Sequence, residues 1–232
     1  MTTAIILAGG LGTRLRSAVP DVPKPMAEIR GRPFLEHQMD YWIGQGVNRF
    51  VLSVGYQSKV IMDHFGAGYR GVPVEYAVEE EPLGTGGGFL MAVKGQKGTV
   101  LVLNGDTFFA VDLGQLMRFH AEKRSEWTFS LFRANEAGRY MGMDVATDGR
   151  ILALKSGTDQ LGRLANGGVY LVNPSVLSKA HFVAGDKLSL EDDILPNIVA
   201  DRRVLYGLEC TGKFIDIGVP EDYFRAADVL PH

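Results

Sequence analysis

Short apolar runs, broken by glycines or by amphipathic stretches, organise this chain. Ala4–Leu7 is an apolar run stopped by glycine, which predicts a buried strand. Pro33–Gln45 places Phe34, Leu35, Met39 and Trp42 at helical spacing behind a leading proline. Strands are predicted at Phe50–Val54, Val74–Val78 and Val100–Leu103. Helices are predicted at Gln57–Phe65, closed by Gly66, at Gly87–Lys94, opened by a glycine run, and at Leu113–Arg124. Strand and helix in alternation predict a parallel, doubly wound sheet.

The pattern changes after residue 125. Thr128–Phe132, Met143–Ala146, Ile151–Leu154 and Gly168–Val172 read as strands with little helix between them, and Asp148-Gly149 marks a hairpin turn. Helices return at Ser175–Ala180 and Leu190–Ala200. Strands follow at Val204–Gly207 and Phe214–Ile217, and a helix starts at Pro220. The second half is expected to add antiparallel strands to the same sheet. Without a linker between the halves, residues 1–232 read as one α/β domain with parts 1–125 and 126–232.

Composition narrows the classes. Of 232 residues, 46% are hydrophobic and 22% charged, ordinary values for a globular chain. The net charge of −3 excludes a protein held on nucleic acid by its overall charge. Cys210 stands alone, so neither an intrachain disulfide nor a cysteine-based zinc site can form. No basic leader precedes the first apolar run, and no stretch approaches 18 apolar residues. The expectation is a cytoplasmic protein without a membrane anchor. Monomer and dimer both stay open.

The 29 glycines cluster, most tellingly in Leu7-Ala8-Gly9-Gly10-Leu11-Gly12-Thr13-Arg14-Leu15, ahead of Lys24-Pro25-Met26. A glycine-rich turn after a first strand offers backbone N–H groups to an anion. Arg14 can fork onto phosphate oxygens, and Lys24 adds a point charge. A structural turn beside two solvated cations is the plainer alternative. The dinucleotide fingerprint fails, because Leu15 stands where its third glycine belongs. The near P-loop from Gly207 to Lys213 continues into Phe214 and a strand, so it fails too.

Two aspartates draw notice. Asp106 follows an apolar strand and Gly105, at the edge where open α/β sheets bind ligands. Asp216 interrupts the apolar run Phe214-Ile215-Asp216-Ile217, and a buried lone carboxylate is costly unless paired or coordinated. Converging, the two would make an oxygen site for Mg²⁺. Alternatively each caps a helix or takes a structural hydrogen bond. His37, His64 and His120 fall in or near helices without metal or triad spacing and read as structural.

The loop at 7–15 with Pro23–Met26 resembles the signature of sugar-1-phosphate nucleotidyltransferases. Glu81-Pro82-Leu83-Gly84-Thr85-Gly86-Gly87, Leu103-Asn104-Gly105-Asp106 and Phe214–Tyr223 resemble the same family in order, from about residue 4 to 226. The short chain, Asn104–Phe109 and Phe214–Tyr223 look most like its D-glycero-α-D-manno-heptose 1-phosphate guanylyltransferase branch. The resemblance implies a three-layer αβα, Rossmann-like (glycosyltransferase-A-like) fold with a mixed central sheet. The first half would bind the nucleotide and the second the sugar.

It also implies that Arg14, Lys24, Asp106 and Asp216 are catalytic, with the two aspartates on Mg²⁺. A nucleoside triphosphate would meet Leu7, Ala8, Gly9, Gly10, Gly12, Thr13, Glu79, Pro82, Gly84, Thr85 and Gly105. Glu79 would face the base, and a carboxylate accepts from guanine N1–H and N2–H₂ together but meets a pyrimidine O4 badly, which favours GTP. A solvated acidic strand end is the alternative for Glu79-Glu80-Glu81. A sugar 1-phosphate would meet Asn104, Gly142, Lys155, Asn166, Gly167 and Glu191. Ser189 and Asp192 would form a capping box that leaves Glu191 free.

Two departures stand out. Met141 separates Tyr140 from Gly142, where the family usually has Tyr-Gly. Lys155-Ser156-Gly157 replaces the usual Glu-Lys, so either Lys155 supplies the sugar-phosphate contact from a shifted position or that contact is absent. Mannose 1-phosphate with GTP, N-acetylmuramate 1-phosphate with UTP, glucose 1-phosphate with dTTP, and a non-catalytic nucleotide-sugar sensor remain the alternatives.

Overall fold

A computed structural model of the chain describes residues 2–10, 12, 14–15, 18–136, 138–155, 161–179, 182, 185–201 and 203–231. The first strand, β1 (Thr3–Leu7), leads through the glycine loop and a 3₁₀ turn at Lys24–Met26 into a small hairpin, β2 (Glu28–Ile29) and β3 (Arg32–Pro33). Helix α1 (Phe34–Gly44) follows, then β4 (Arg49–Val54), α2 (Ser58–Phe65), β5 (Gly68–Tyr69) and β6 (Val72–Val78). Next come α3 (Gly84–Val93), β7 (Val100–Asn104), β8 (Thr107–Phe109) and α4 (Leu113–Glu122). The second half holds β9 (Trp127–Arg133), β10 (Gly142–Val145), β11 (Ile151–Lys155), β12 (Leu164–Val172) and a 3₁₀ stretch at Pro174–Lys179. A π turn at Leu190–Ile194, α5 (Leu195–Ala200), β13 (Leu205–Glu209), β14 (Phe214–Asp216) and α6 (Pro220–Val229) complete it.

Period-two alternation sends the main sheet's side chains to two cores, while Ile29, Phe108 and Ile215 of the small ribbons join a third. Ala4, Ile6, Leu101 and Leu103 join one with Leu35, Met39 and Trp42 of α1 and Leu113 and Leu116 of α4. Ile5, Val100 and Val102 join the other with Phe89 and Leu90 of α3 and Leu195 and Ile198 of α5. Helices therefore cover both faces of a mixed sheet, the αβα architecture expected.

Strand order decides where a ligand can sit. The sheet runs β11-β10-β12-β7-β1-β4-β6-β5, with β9 beside β12 and β13 beside β9. From β1 the chain winds outward through β4 and β6, all parallel, then returns to lay β7 on the opposite flank of β1. This reversal opens a crevice at the carboxyl ends of β1 and β7, where α/β sheets bind ligands.

The second half corrects part of the sequence reading. β12 is antiparallel to β7 and β9 as expected, but β13 runs parallel to β9. The predicted strand Phe214–Ile217 is outside the main sheet: β14 pairs antiparallel with β8 in a two-stranded ribbon. Helix α3 starts three residues before the predicted Gly87, and Pro33 caps α1 rather than opening it. The glycine run enters α3 because the segment before the π turn lies on it. Leu188 O accepts from Gly86 N–H at 2.8 Å, and a β-carbon on Gly84 or Gly86 would collide with that carbonyl.

Candidate active site

Two cavities meet over the crevice. The larger, about 420 Å³, is lined by Leu7, Gly9, Gly10, Gly12, Arg14, Lys24, Glu79, Pro82, Gly84 and Thr85, and by the unforeseen Ser53, Gly88 and Lys187. The second, about 290 Å³, shares Leu7, Gly10, Gly12, Arg14, Lys24 and Thr85 and adds Ala8, Asn104, Gly105, Asp106, Glu191 and Asp216. Thr13 and the side chain of Lys155 lie outside the described residues.

Glycine is needed where the two strand ends touch. Gly105 N–H donates to Leu7 O at 3.0 Å, and a β-carbon on Gly105 would stand 2.5 Å from that oxygen and 3.1 Å from Ala8 Cα. Gly12 has φ +63°, a left-handed conformation natural to glycine, and the Lys24 stem packs against it. The glycine loop thereby sets the lysine's approach.

The four charged groups expected to act together do converge. Lys24 Nζ donates to Asp106 Oδ2 at 3.0 Å. Asp216 pairs with Thr107 across the ribbon, and Ile217 N–H donates to Asp106 O at 2.9 Å, which ties the aspartates' backbones. A β-carbon placed on Gly218 would lie 2.7 Å from Asp216 Oδ1, 3.4 Å from Lys24 Nζ and 3.5 Å from Arg14 Nη2. Burial, and then the facing Asp106, push the Asp216 carboxyl above its usual range. Gly218 N–H takes Asp216 Oδ1 at 2.7 Å, and Lys24 takes Asp106 Oδ2. Asp106 Oδ1 accepts only a long 3.5 Å hydrogen bond from Thr107 Oγ1, and Asp216 Oδ2 has Arg139 Nη2 at 3.6 Å, so each oxygen keeps lone-pair capacity for a further partner.

Glu79 is buried at the end of β6, not solvated. Leu83 N–H donates to its Oε2 at 2.9 Å and the Ser53 hydroxyl to its Oε1 at 3.4 Å. Gly88 approaches so closely that a β-carbon there would stand 2.6 Å from Oε1. Burial raises this carboxyl too.

Glu191 marks the far end. It lines the second cavity and a third of about 550 Å³ beside Tyr140, Met141 and Leu154. Thr85 Oγ1 donates to Glu191 Oε2 at 3.1 Å, and burial raises the Glu191 carboxyl. The cap beside it differs from the expected box. Ser189 Oγ accepts from Asp192 N–H at 3.0 Å, but the carboxylate reaching back to Ser189 N–H is Asp193, at 2.7 Å. The wider π turn moves the returning side chain one residue along. Glu191 is left outside the cap, as expected.

Gly142, Asn166 and Gly167 line neither of the first two cavities. The Asn166 amide donates to Tyr170 Oη at 2.7 Å and accepts from Gly168 N–H at 3.1 Å. His37 and His120 bond Ile29 O and Thr128 Oγ1 inside the fold. His64 meets Glu36 at 2.8 Å, a surface pair 28 residues apart that spacing does not reveal. The sequence reading missed Ser53, whose one signal is a polar residue in an apolar strand. It also missed Arg139, which reaches Asp216 from 77 residues away.

Two cations and two carboxylates beside a glycine-rich loop suit chemistry at phosphorus, and the fold that carries them is that of the nucleotidyltransferases. The chain belongs to the Nucleotidyl transferase family, whose sequence profile matches residues 3–231. It is 39% identical over 231 residues to the D-glycero-alpha-D-manno-heptose 1-phosphate guanylyltransferase of Aneurinibacillus thermoaerophilus, covering 99% of this chain and 98% of the relative. Identity to the enzyme of that name from Campylobacter jejuni is 38% over 224 residues, covering 96% and 97%. The crystal structure of HddC from Yersinia pseudotuberculosis superposes with a TM-score of 0.85 at 34% identity, covering 98% of this chain and 99% of that one. HddC has also been solved complexed with GMP-PN.

Proposed function

We infer that the protein transfers a guanylyl group from GTP to D-glycero-α-D-manno-heptose 1-phosphate, giving the GDP-sugar and pyrophosphate. The convergence of Arg14, Lys24, Asp106 and Asp216 beside a glycine-rich cradle carries the reaction class. Near-full-length likeness to two heptose guanylyltransferases supports the choice of nucleotide and sugar.

The acceptor phosphate is already an anion, so no general base is required, and catalysis is positioning plus charge stabilisation. A sugar-phosphate oxygen bonds to the α-phosphorus as the bond to the bridging oxygen breaks, and pyrophosphate leaves with the electron pair. In this reading Lys24 bridges the α-phosphate and the incoming phosphate, and Arg14 takes the leaving pair. The backbone after β1 cradles the triphosphate, Glu79 accepts from guanine, and Glu191 holds sugar hydroxyls where the second and third cavities meet.

Among the described residues no three His, Cys, Asp or Glu side chains form a metal cluster. A two-carboxylate set still fits Mg²⁺, which keeps waters and substrate phosphates in its octahedron. Asp106 and Asp216, each with an oxygen to offer, would hold it, and it would neutralise charge on the phosphates. We place the reaction in the cytoplasm, consistent with the lone free Cys210 and with no described helix being long and apolar enough to cross a membrane.

The test is pyrophosphate release from GTP, UTP, dTTP and CTP, each crossed with heptose, mannose, glucose and N-acetylmuramate 1-phosphates. GTP with the heptose is expected to be fastest. A faster mannose reaction would replace the sugar, equal rates with dTTP would remove the guanine assignment, and no release from any pair would leave a nucleotide-sugar binding protein.

A further inference from the structure

Arg139 lies on the connection between β9 and β10, and its guanidinium is held from several directions. Nη1 forks onto both carboxylate oxygens of Glu136 at 3.1 and 3.0 Å. Nη2 pairs with Asp222 in the first turn of α6 and donates to the backbone carbonyl of Asp216 at 3.2 Å. The Tyr140 ring centroid is 5.0 Å from its central carbon. The Arg139 and Asp222 side chains are only 15% and 5% exposed, so each is held with its charge paired, Asp222 also by Arg225 at 2.9 Å.

The distances separate two roles this cation could have. Its hydrogen bond goes to the Asp216 carbonyl, whereas Asp216 Oδ2 is 3.6 Å away, outside hydrogen-bond range. Arg139 therefore grips the residue by its backbone and stays within ion-pair range of the carboxylate without hydrogen-bonding it. Asp216 has need of such a grip. Its strand β14 is three residues long and pairs only with β8, so contacts beyond that ladder, the buried Ile215 and Ile217 among them, must fix its end. At the other end of the strand Phe214 stacks on Phe132 at 3.8 Å and meets Tyr140 edge-on at 5.5 Å. Arg139 and its neighbour Tyr140 thus contact β14 at both of its ends.

We propose that Arg139, anchored by Asp222 and Glu136, is a positioning residue that aims the Asp216 carboxylate at the divalent cation of the transferase reaction. The inference rests on the function proposed above. A lysine cannot take its place fully, because one ammonium cannot fork to Glu136 while also holding Asp222 and the Asp216 carbonyl.

The experiment measures Mn²⁺ binding to the protein–GTP complex by electron paramagnetic resonance, together with kcat and KM, for the unaltered protein and four variants. Arg139→Gln is expected to weaken Mn²⁺ binding and lower kcat by about 10- to 100-fold with the KM for GTP little changed, the usual scale for groups that orient metal ligands. Arg139→Lys should recover part of both losses, and Asp222→Asn should move both in the direction of Arg139→Gln. Unchanged Mn²⁺ affinity and kcat in Arg139→Gln would overturn the proposal. If that variant does not fold, unchanged Mn²⁺ affinity in Asp222→Asn overturns it instead. Asp216→Asn separates the levels. If it leaves Mn²⁺ binding intact, the metal site itself is wrong; if it abolishes binding while Arg139→Gln does not, only the positioning role falls.

Discussion

Replacing Glu79 with glutamine tests the base-reading role and the burial argument in one protein. Each carboxylate oxygen accepts one hydrogen bond from the protein, Leu83 N–H at 2.9 Å and Ser53 Oγ–H at 3.4 Å, and keeps lone-pair capacity for guanine N1–H and N2–H₂. Glutamine has nearly the same shape. Its amide oxygen can still accept from Leu83, and its NH₂ can donate to the Ser53 hydroxyl, so the fold should persist. Toward guanine, however, one acceptor becomes a donor. An unmatched donor in a buried site costs about 1–3 kcal/mol, roughly 5- to 150-fold in relative kcat/KM. The assay is pyrophosphate release, read as the kcat/KM ratio of GTP over dTTP, which should fall by that factor. Stability supplies a second readout. Burial raises the folded carboxyl above its unfolded value, so its contribution is full below the unfolded pKa and is lost as pH rises through the folded one. Glutamine does not titrate, so the variant should gain in Tm relative to the parent as the pH rises above about 4.5, the ordinary value of the carboxyl. An unchanged nucleotide ratio would refute base reading, and a Tm difference independent of pH would refute the burial.

Asp106→Asn should lower kcat by about 10²-fold or more at saturating substrate while circular dichroism stays unchanged; near-normal turnover at limiting Mg²⁺ would remove Asp106 from the metal site. Lys24→Ala should cost about 10²-fold, mainly in kcat, because the ammonium 3.0 Å from Asp106 is meant to act in the chemical step. If only the KM for GTP rose, Lys24 would be a ground-state binder. Gly105→Ala should force β1 and β7 apart, since the new β-carbon meets only backbone, at 2.5 and 3.1 Å. Overpacking plus a weakened Gly105–Leu7 hydrogen bond should destabilise by about 2–4 kcal/mol, a Tm loss of roughly 4–16 °C by calorimetry.

Much of this protein is legible in its sequence because the relevant signals are local. Short continuous apolar runs mark β1, β4 and β7, and helical patterning marks α1 and α4 within a few residues. A glycine loop after one strand and a Gly-Asp after another are enough to place two halves of a site at strand ends, and both lie in the cavities there. Partners and directions were not local. The run Phe214–Ile217 reads as a strand of the main sheet, but apolar content does not say what a strand pairs with, and tertiary packing gave it to β8. The glycine-rich stretch Gly84–Gly88 has little helix propensity of its own; Leu188, a hundred residues on, lies against it and leaves no room for a β-carbon at Gly84 or Gly86. Asn166 is a free amide in the sequence and a partner of Tyr170 in the fold. Arg139 is one charged residue among many along the chain. Only folding brings it to Asp222 and Asp216, because a buried charge acquires its role from the groups that face it, and these come from sequence-distant elements.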